Sequence, residues 1–304
     1  MESRALPVVV IAAAGRAKRF SGEQKVLALV GGRPAICRVA DTCQQAWGPH
    51  RQVVVIGHEG ARVRAALGKA PHRQYVTQEQ LLGTGHALQL ALSRLEGVPQ
   101  RRVFFLCGDK PLLSARSLRR IEHDLDTSGA AMAFLIGTIE GEVASNRQGR
   151  VLQARPRTPR AEALGIVERA MIDAMNGEAL RFESQSGEWH TYTREQLLAV
   201  PDVNLSAYVW PEHVLRAHVG KLELHPEKGE YFVTDLVEVL RRQRLLVRAV
   251  SASVEGEGLG IDTPEQLRTA ERAWRRLQPS GATANRPVWA GDDGVDERVS
   301  DALL

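Results

Sequence analysis

The chain has 304 residues, a formal net charge of +4, 43% hydrophobic residues and 25% charged residues. That balance supplies enough apolar surface for a packed core and excludes wholesale disorder. The length allows one large or two small domains, and no run approaches the roughly 18 apolar residues of a membrane span.

In chain order, the first half alternates between two patterns. Short β-branched runs fall at 7–11, 52–56 and 103–107, with a further extended run at 74–77. Segments with helical spacing follow at 34–47, 61–67, 85–95 and 114–125. Strand, helix, strand, helix predicts an α/β fold: a mostly parallel, Rossmann-like sheet with helices on both faces. Ligands of such sheets bind at the carboxyl ends of the strands. The loops after Ile11, Thr77 and Cys107 are therefore the ones to inspect.

The second half is less regular. Extended candidates are 131–136, 149–154, 205–209 and 246–250, and helix candidates are 230–242 and 263–277. Thr263 is placed to cap the last helix, with Pro264 at its first position. The polar stretch between Glu168 and Asn204 reads as a loop or lid with one or two short helices. No internal repeat is present, and in particular no hexapeptide period. From Pro279 the composition shifts to Gly, Ala, Asp and Pro, so 279–304 reads as a disordered acidic tail.

Charge and cysteines narrow the setting. The basic residues are spread along the chain without a zinc-finger or aromatic-interleaved segment, so neither nucleic acid nor membrane is an expected partner. The densest group, Arg241, Arg242, Arg244 and Arg248, reads as a solvated helix end. Cys37, Cys43 and Cys107 have no CxxC spacing, so neither a zinc site nor a disulfide framework is expected, and a reducing cytoplasm fits best. Residues 1–14 are apolar but carry Glu2 and run directly into a Gly/Lys/Arg segment, so no secretory signal is expected.

Four segments carry chemistry. The first strand runs into AAGRAKRF at 13–20, where small residues let backbone N–H groups approach an anion. It is neither a Walker A loop nor a GxGxxG fingerprint, and a tight strand–helix turn explains it equally well. Lys25 follows in QKVL; six lysines stand against 34 arginines in this chain. Lys25 is either solvated or a compact ammonium suited to a phosphate that gains charge. At 78–87, QEQLLGTGHA brackets a threonine with two glycines where a helix should begin, beside glutamines able to read a base edge. His86 in that first turn reads as a packing or capping residue. At 108–112, GDKPL ends a buried strand in Asp109, either a turn residue or a Mg²⁺ anchor, since magnesium needs few protein carboxylates. Cys107 before it reads as an inert strand residue. Finally, Asp262 in GID at 260–262 either caps the last helix or serves as a second metal ligand.

Together with GRV at 149–151, IVE at 166–168, NLS at 204–206 and GEYFVTD at 229–235, these segments resemble the sugar-1-phosphate nucleotidyltransferase family. Within it they are most similar to the uridylyltransferase domain of bacterial N-acetylglucosamine-1-phosphate uridylyltransferases. That family carries AAGxGTRM, PKVL, QxxQLGTGHA, GDxPL, GRI, IVE, NTG, GEYYxTD and GVN in this order, and the likeness spans roughly residues 7–277. QEQLLGTGHA and GEYFVTD are the specific matches.

The resemblance implies the nucleotide-diphospho-sugar transferase fold with a smaller sugar-side β lobe. It divides residues 1–278 into a nucleotide half to about 130 and a sugar half beyond it. It implies that the backbone of Ala13, Ala14 and Gly15 holds the triphosphate of an NTP, with Arg19 and Lys25 as the catalytic cations. Gln78, Gly83 and Thr84 would contact uracil and ribose, Asp109 and Asp262 would hold Mg²⁺, and Gly149, Glu168 and Asn204 would contact the sugar. The implied reaction is in-line attack of a sugar 1-phosphate on the NTP, most simply N-acetylglucosamine 1-phosphate on UTP.

Departures are local. Ala17 and Lys18 replace the loop's second glycine and its threonine. Leu82 adds one residue, so Gln78 or Gln80 could read the base, and spacing to Gly83 favours Gln78. Lys110 points either to solvent or to a phosphate. The segment between Glu168 and Asn204 is about twenty residues longer than the family's. Rival readings are a related enzyme with another nucleotide or acceptor, and a catalytically silent nucleotide-sugar-binding protein. A dehydrogenase lacks its glycine fingerprint, and an acetyltransferase half is not expected without hexapeptide repeats.

Overall fold

The computed structural model describes residues 5–15, 24–57, 59–98, 101–155, 160–254 and 256–278. Arg19, the Ala17 and Lys18 departures and the 279–304 segment lie outside the described residues.

Chain order begins β1 (Val8–Ala13), β2 (Leu29–Val30), β3 (Arg33–Pro34), α1 (Ala35–Trp47), β4 (Arg51–Ile56), α2 (Gly60–Leu67) and β5 (Arg73–Thr77). It continues with α3 (Gly83–Leu92), β6 (Arg102–Cys107), α4 (Ala115–Ser128), β7 (Met132–Thr138), β8 (Arg150–Gln153), β9 (Arg160–Val167) and α5 (Arg169–Asp173). The last elements are β10 (Leu180–Glu183), β11 (Trp189–Tyr192), α6 (Arg194–Ala199), β12 (Asp202–Pro211), α7 (Glu212–His218), α8 (Leu236–Arg242), β13 (Val247–Ser251) and α9 (Pro264–Leu277).

Nine of these strands form one sheet in the order β5-β4-β1-β6-β12-β7-β13-β9-β8. β5, β4, β1 and β6 run parallel, with Val10 level with both Val53 and Phe105. β12 enters antiparallel between β6 and β7, so the sheet is mixed beyond β6. Strands buried on both faces read as unbroken apolar runs, which is why VVVIAA and RVFFLC were legible as strands. Val8 and Val10 pack with Leu88, Ala91 and Leu236 on one face, while Val9 and Ile11 pack with Ile36, Val39 and Leu118 on the other. Helices therefore cover both faces, as the alternation predicts.

Several second-half expectations change. β9 was not anticipated: Ala161, Ala163 and Gly165 are buried small residues with little strand signal. The stretch after Glu168 does hold two short helices, α5 and α6, but between them β10 and β11 pair as a hairpin. The helix expected over 230–242 starts later, with a 3₁₀ turn at Val233–Asp235, and Tyr231 before it is tied to another segment, its N–H donating to the Leu82 carbonyl at 2.8 Å. The basic cluster is only partly solvated. Arg241 Nε donates to the Glu183 carbonyl at 3.0 Å and ties the hairpin to α8, and Arg248 Nε donates to Asp124 Oδ2 at 3.2 Å. Among the described residues no helix is long and apolar enough to cross a membrane.

Candidate active site

The carboxyl ends of the parallel strands are knitted together beyond the ladder itself. Gly108 N donates to the Ala12 carbonyl at 2.9 Å, and Gln78 N donates to the Ile56 carbonyl at 2.8 Å. These bonds carry Asp109 and Gln78 to the same edge of the sheet as Ala13, Ala14 and Gly15. There they line a cleft of about 850 Å³, together with Lys25, Gly83, Thr84 and Asp262.

Lys25 opens a 3₁₀ turn, Lys25–Leu27, anchored by the buried side chain of Val26. Its Nζ lies 2.5 Å from Asp109 Oδ2 and 2.6 Å from Asp262 Oδ1. Burial works against the Lys25 ammonium, but the two carboxylates outweigh it and hold its pKa well above the ordinary lysine value. Burial likewise opposes the Asp109 carboxylate, yet Lys25 and Lys110 bring it below the usual range. Neither aspartate caps a helix. Ser114 caps α4, and Thr263 caps α9 by accepting from Gln266 N, with Pro264 in the first turn. Both carboxylates are thus engaged in the cleft, with Lys25, and not at a helix start.

The donor set suits a magnesium ion. Asp109 Oδ1 is buried without a hydrogen-bond partner, and the Asp262 side chain is 46% exposed. Magnesium is satisfied by one or two carboxylates because substrate phosphates and waters complete its shell. Among the described residues no group of three or more His, Cys, Asp or Glu could hold a metal, and this ion does not require one.

Opposite the carboxylates, Gln78 is buried, with Nε2 donating to the Gly83 carbonyl at 3.0 Å and 3.1 Å from His86 Nδ1. His86 therefore braces Gln78, in keeping with a packing role, while Gln80 is exposed. Gly83 has φ +87°, and a Cβ there would stand 2.5 Å from the Tyr231 carbonyl oxygen. That close approach lets residues 231–233 strap onto 82–85: Gly85 N donates to Tyr231 O at 2.8 Å and Val233 N to Thr84 Oγ1 at 3.1 Å. The strap brings Lys228 and Glu230 to the cleft wall. The sequence reading did not single them out, because only the pairing of two distant motifs places them there.

Gly149, Glu168 and Asn204 form a second group outside that lining. Asn204 N donates to the Gly149 carbonyl at 3.0 Å, and a Cβ on Gly149 would meet the Glu168 carboxylate oxygens at 3.2 Å. The Asn204 amide is engaged by its own strand: Nδ2 donates to Tyr208 Oη at 2.6 Å, and Oδ1 accepts from Ser206 N at 3.0 Å. This follows from a bulge in β12, where Ser206 takes φ +57°. Burial raises the Glu168 pKa, opposed by the Thr234 hydroxyl and His225. His225 Nε2 sits 2.7 Å from Asp235 Oδ2. The 229–235 motif therefore reaches from the cleft to Glu168.

Of two further residues, Lys110 differs from expectation and Cys107 keeps to it. Lys110 faces neither solvent nor the cleft. It is 8% exposed, and its Nζ donates to the Gly258 carbonyl at 3.1 Å, because the turn after Asp109 folds it beneath the 256–262 loop. Cys107 does have basic neighbours in Lys25 and Lys110, but burial overrides them and pushes the thiol up to about 12. It stays protonated, as an inert strand residue would.

The layout defines a class: nucleotide-handling α/β domains whose ligand-facing loops gather at the carboxyl ends of parallel strands. Residues 9–178 match the MobA-like NTP transferase domain, and the chain belongs to that family. A Burkholderia thailandensis protein named Bifunctional protein GlmU is 32% identical over 291 residues, covering 95% of this chain and 57% of that protein. A Trichlorobacter lovleyi protein of the same name is 30% identical and covers 90% and 53%. The chain thus spans about half the length of the curated relatives it matches. Among solved structures, apo UDP-glucose pyrophosphorylase superposes with a TM-score of 0.66 at 14% identity, covering 90% of this chain and 99% of that one. That similarity establishes the shared fold. The resemblance to nucleotidyltransferases read from the motifs is borne out.

Proposed function

We propose that the chain transfers a nucleotidyl group from an NTP to a sugar 1-phosphate and releases pyrophosphate, with UTP and N-acetylglucosamine 1-phosphate as the favoured pair. The observation that carries this reading is the Lys25 ammonium held between Asp109 and Asp262 at the edge of the sheet, beside the main chain of residues 13–15. The match to the MobA-like NTP transferase domain and the identity to the GlmU relatives support it.

In this reading an acceptor phosphate oxygen forms a bond to the α-phosphorus, and the bond to the bridging oxygen breaks. The electron pair leaves with pyrophosphate. A phosphate dianion is already nucleophilic at neutral pH, so no side chain has to accept a proton. The protein's part is positioning and charge neutralisation. Backbone N–H groups of Ala13, Ala14 and Gly15 cradle the triphosphate, and Lys25 and Arg19 meet charge on the α-phosphate and leaving group. Gln78, Gly83 and Thr84 orient the nucleoside, while Gly149, Glu168 and Asn204 orient the sugar. A magnesium ion held by Asp109 and Asp262 supplies further neutralisation of phosphate charge when bound. Residues up to 278 work as one unit, nucleotide half and sugar half together.

A different acceptor is the second reading, favoured by the β10–β11 hairpin. It lays Phe182 over Gly165, where a Cβ would stand 2.6 Å from the ring, on the lobe that carries Glu168. The test is a panel of nucleotides and sugar phosphates assayed for pyrophosphate release, with product masses recorded. A UDP-sugar as main product supports the first reading, and another NDP compound supports the second. Nucleotide-sugar binding by calorimetry without turnover would make the protein a silent sensor.

A further inference from the structure

A lysine is seldom this buried unless it holds something, and Lys110 is 8% exposed with its ammonium 3.1 Å from the Gly258 carbonyl oxygen. It directly follows Asp109, while Gly258 lies four residues before Asp262. One side chain therefore joins the two backbone segments that deliver the two carboxylates. The loop has other anchors on either side of Gly258: the buried Glu257 accepts from Ser114 Oγ at 2.7 Å and Ser117 Oγ at 2.8 Å, at the start of α4, and Asp262 N donates to Gln266 Oε1 at 2.7 Å. Gln148 Nε2 reaches the same Gly258 carbonyl only at 3.4 Å. Packing leaves the ammonium little room, since a Cβ on Gly260 would stand 3.0 Å from Lys110 Nζ.

We infer that Lys110 is a positioning residue: by pinning the Gly258 carbonyl it sets Asp262 at the working distance from Asp109. Its target is the loop and not the substrate. It differs from Lys25 in this, because Lys25 contacts both carboxylates directly, while Lys110 is bonded to the main chain before Asp262 and reaches Asp109 only through space. The inference rests on the metal-holding role given to the two aspartates above.

Two variants separate geometry from charge. Lys110→Met keeps the volume but removes the charge and the hydrogen bond. Gly260→Ala keeps the charge but crowds the ammonium, which must give by a few tenths of an ångström, and its Cβ would also lie 3.7 Å from Asp262 Oδ2. The probe is the Mn²⁺·UTP complex, titrated into the full chain without acceptor and followed by electron paramagnetic resonance and calorimetry. Both variants should weaken binding about tenfold, a coupling ordinary for residues sharing one network. In an Asp262→Ala background neither substitution should weaken it further. Additive loss in that background, or wild-type affinity in folded Lys110→Met protein, overturns the inference while leaving the function standing. Failure of the wild-type chain to bind Mn²⁺·UTP overturns both. Should Lys110→Met not fold, the Gly260→Ala cycle alone decides.

Discussion

Lys25 Nζ lies 2.5 Å from Asp109 Oδ2, although 84 positions separate the two residues in the chain, and the contact is made across the carboxyl edge of the sheet. The ammonium pairs with both Asp109 and Asp262 and offsets one of their two negative charges. Lys25→Ala removes that neutralisation. The rate of pyrophosphate release should fall by about 10²–10³, the usual cost of losing one preorganised charge. Steady-state kinetics with nucleotide titration checks this, and near wild-type rates would remove Lys25 from the catalytic machinery.

Gly83→Ala should damage the base-side wall. The position has φ +87°, and the added Cβ would meet the Tyr231 carbonyl oxygen at 2.5 Å. Left-handed backbone alone costs an L-residue about 1–2 kcal/mol, and the 231–233 strap must also shift. Thermal melting should show the lost stability, and nucleotide titration a weaker affinity. An unchanged melting temperature would contradict the strap.

Glu168 gives a pH-dependent prediction. Burial, opposed by the Thr234 hydroxyl and His225, raises its folded pKa above the ordinary 4.5. The charged form therefore costs stability at neutral pH, and that cost disappears as pH falls below the unfolded value. Glu168→Gln should raise the melting temperature at pH 7 and lose this advantage near pH 4. If Glu168 contacts the acceptor, the same variant raises the acceptor KM. Melting curves across pH and acceptor saturation kinetics read the two effects separately.

Glu212 provides a control remote from the cleft. It is 1% exposed and accepts from Arg101 Nε at 2.6 Å and Arg216 Nε at 2.8 Å. Burial opposes its charge, but the two guanidinium groups hold its pKa below the ordinary value. Its contribution is therefore present above about pH 4.5 and lost as pH falls through the depressed folded value. Glu212→Ala leaves Arg101 buried without its partner and should cost about 3–5 kcal/mol, measured by urea unfolding, with KM values of the folded fraction unchanged.

The parts legible in the sequence were those fixed by local pattern. The parallel strands are apolar runs buried on both faces, and Thr263–Pro264 is a local cap signal. Asp109 was legible at the carboxyl edge because only Gly108 separates it from the buried strand β6. What the sequence hid depends on packing between distant segments. β9 mixes Leu164, Ile166 and Val167 with two alanines and a glycine, which blur its alternation, and the neighbouring strands complete it. Lys228 and Glu230 reach the cleft only because 231–233 straps onto 82–85. Lys110 looked like a solvent or phosphate lysine because nothing in GDKPL reveals that Gly258 lies above it. The hairpin after Glu168 escaped notice because its four-residue strands are too short for a clear alternation.

The central claim is nucleotidyl transfer at the carboxylates gathered by Lys25. Its most direct test is pyrophosphate release from UTP and N-acetylglucosamine 1-phosphate by Asp109→Ala protein shown to be folded by circular dichroism. The account predicts that wild-type release requires both substrates and that the variant is slower by at least about 10². A folded Asp109→Ala protein turning over near the wild-type rate would contradict it.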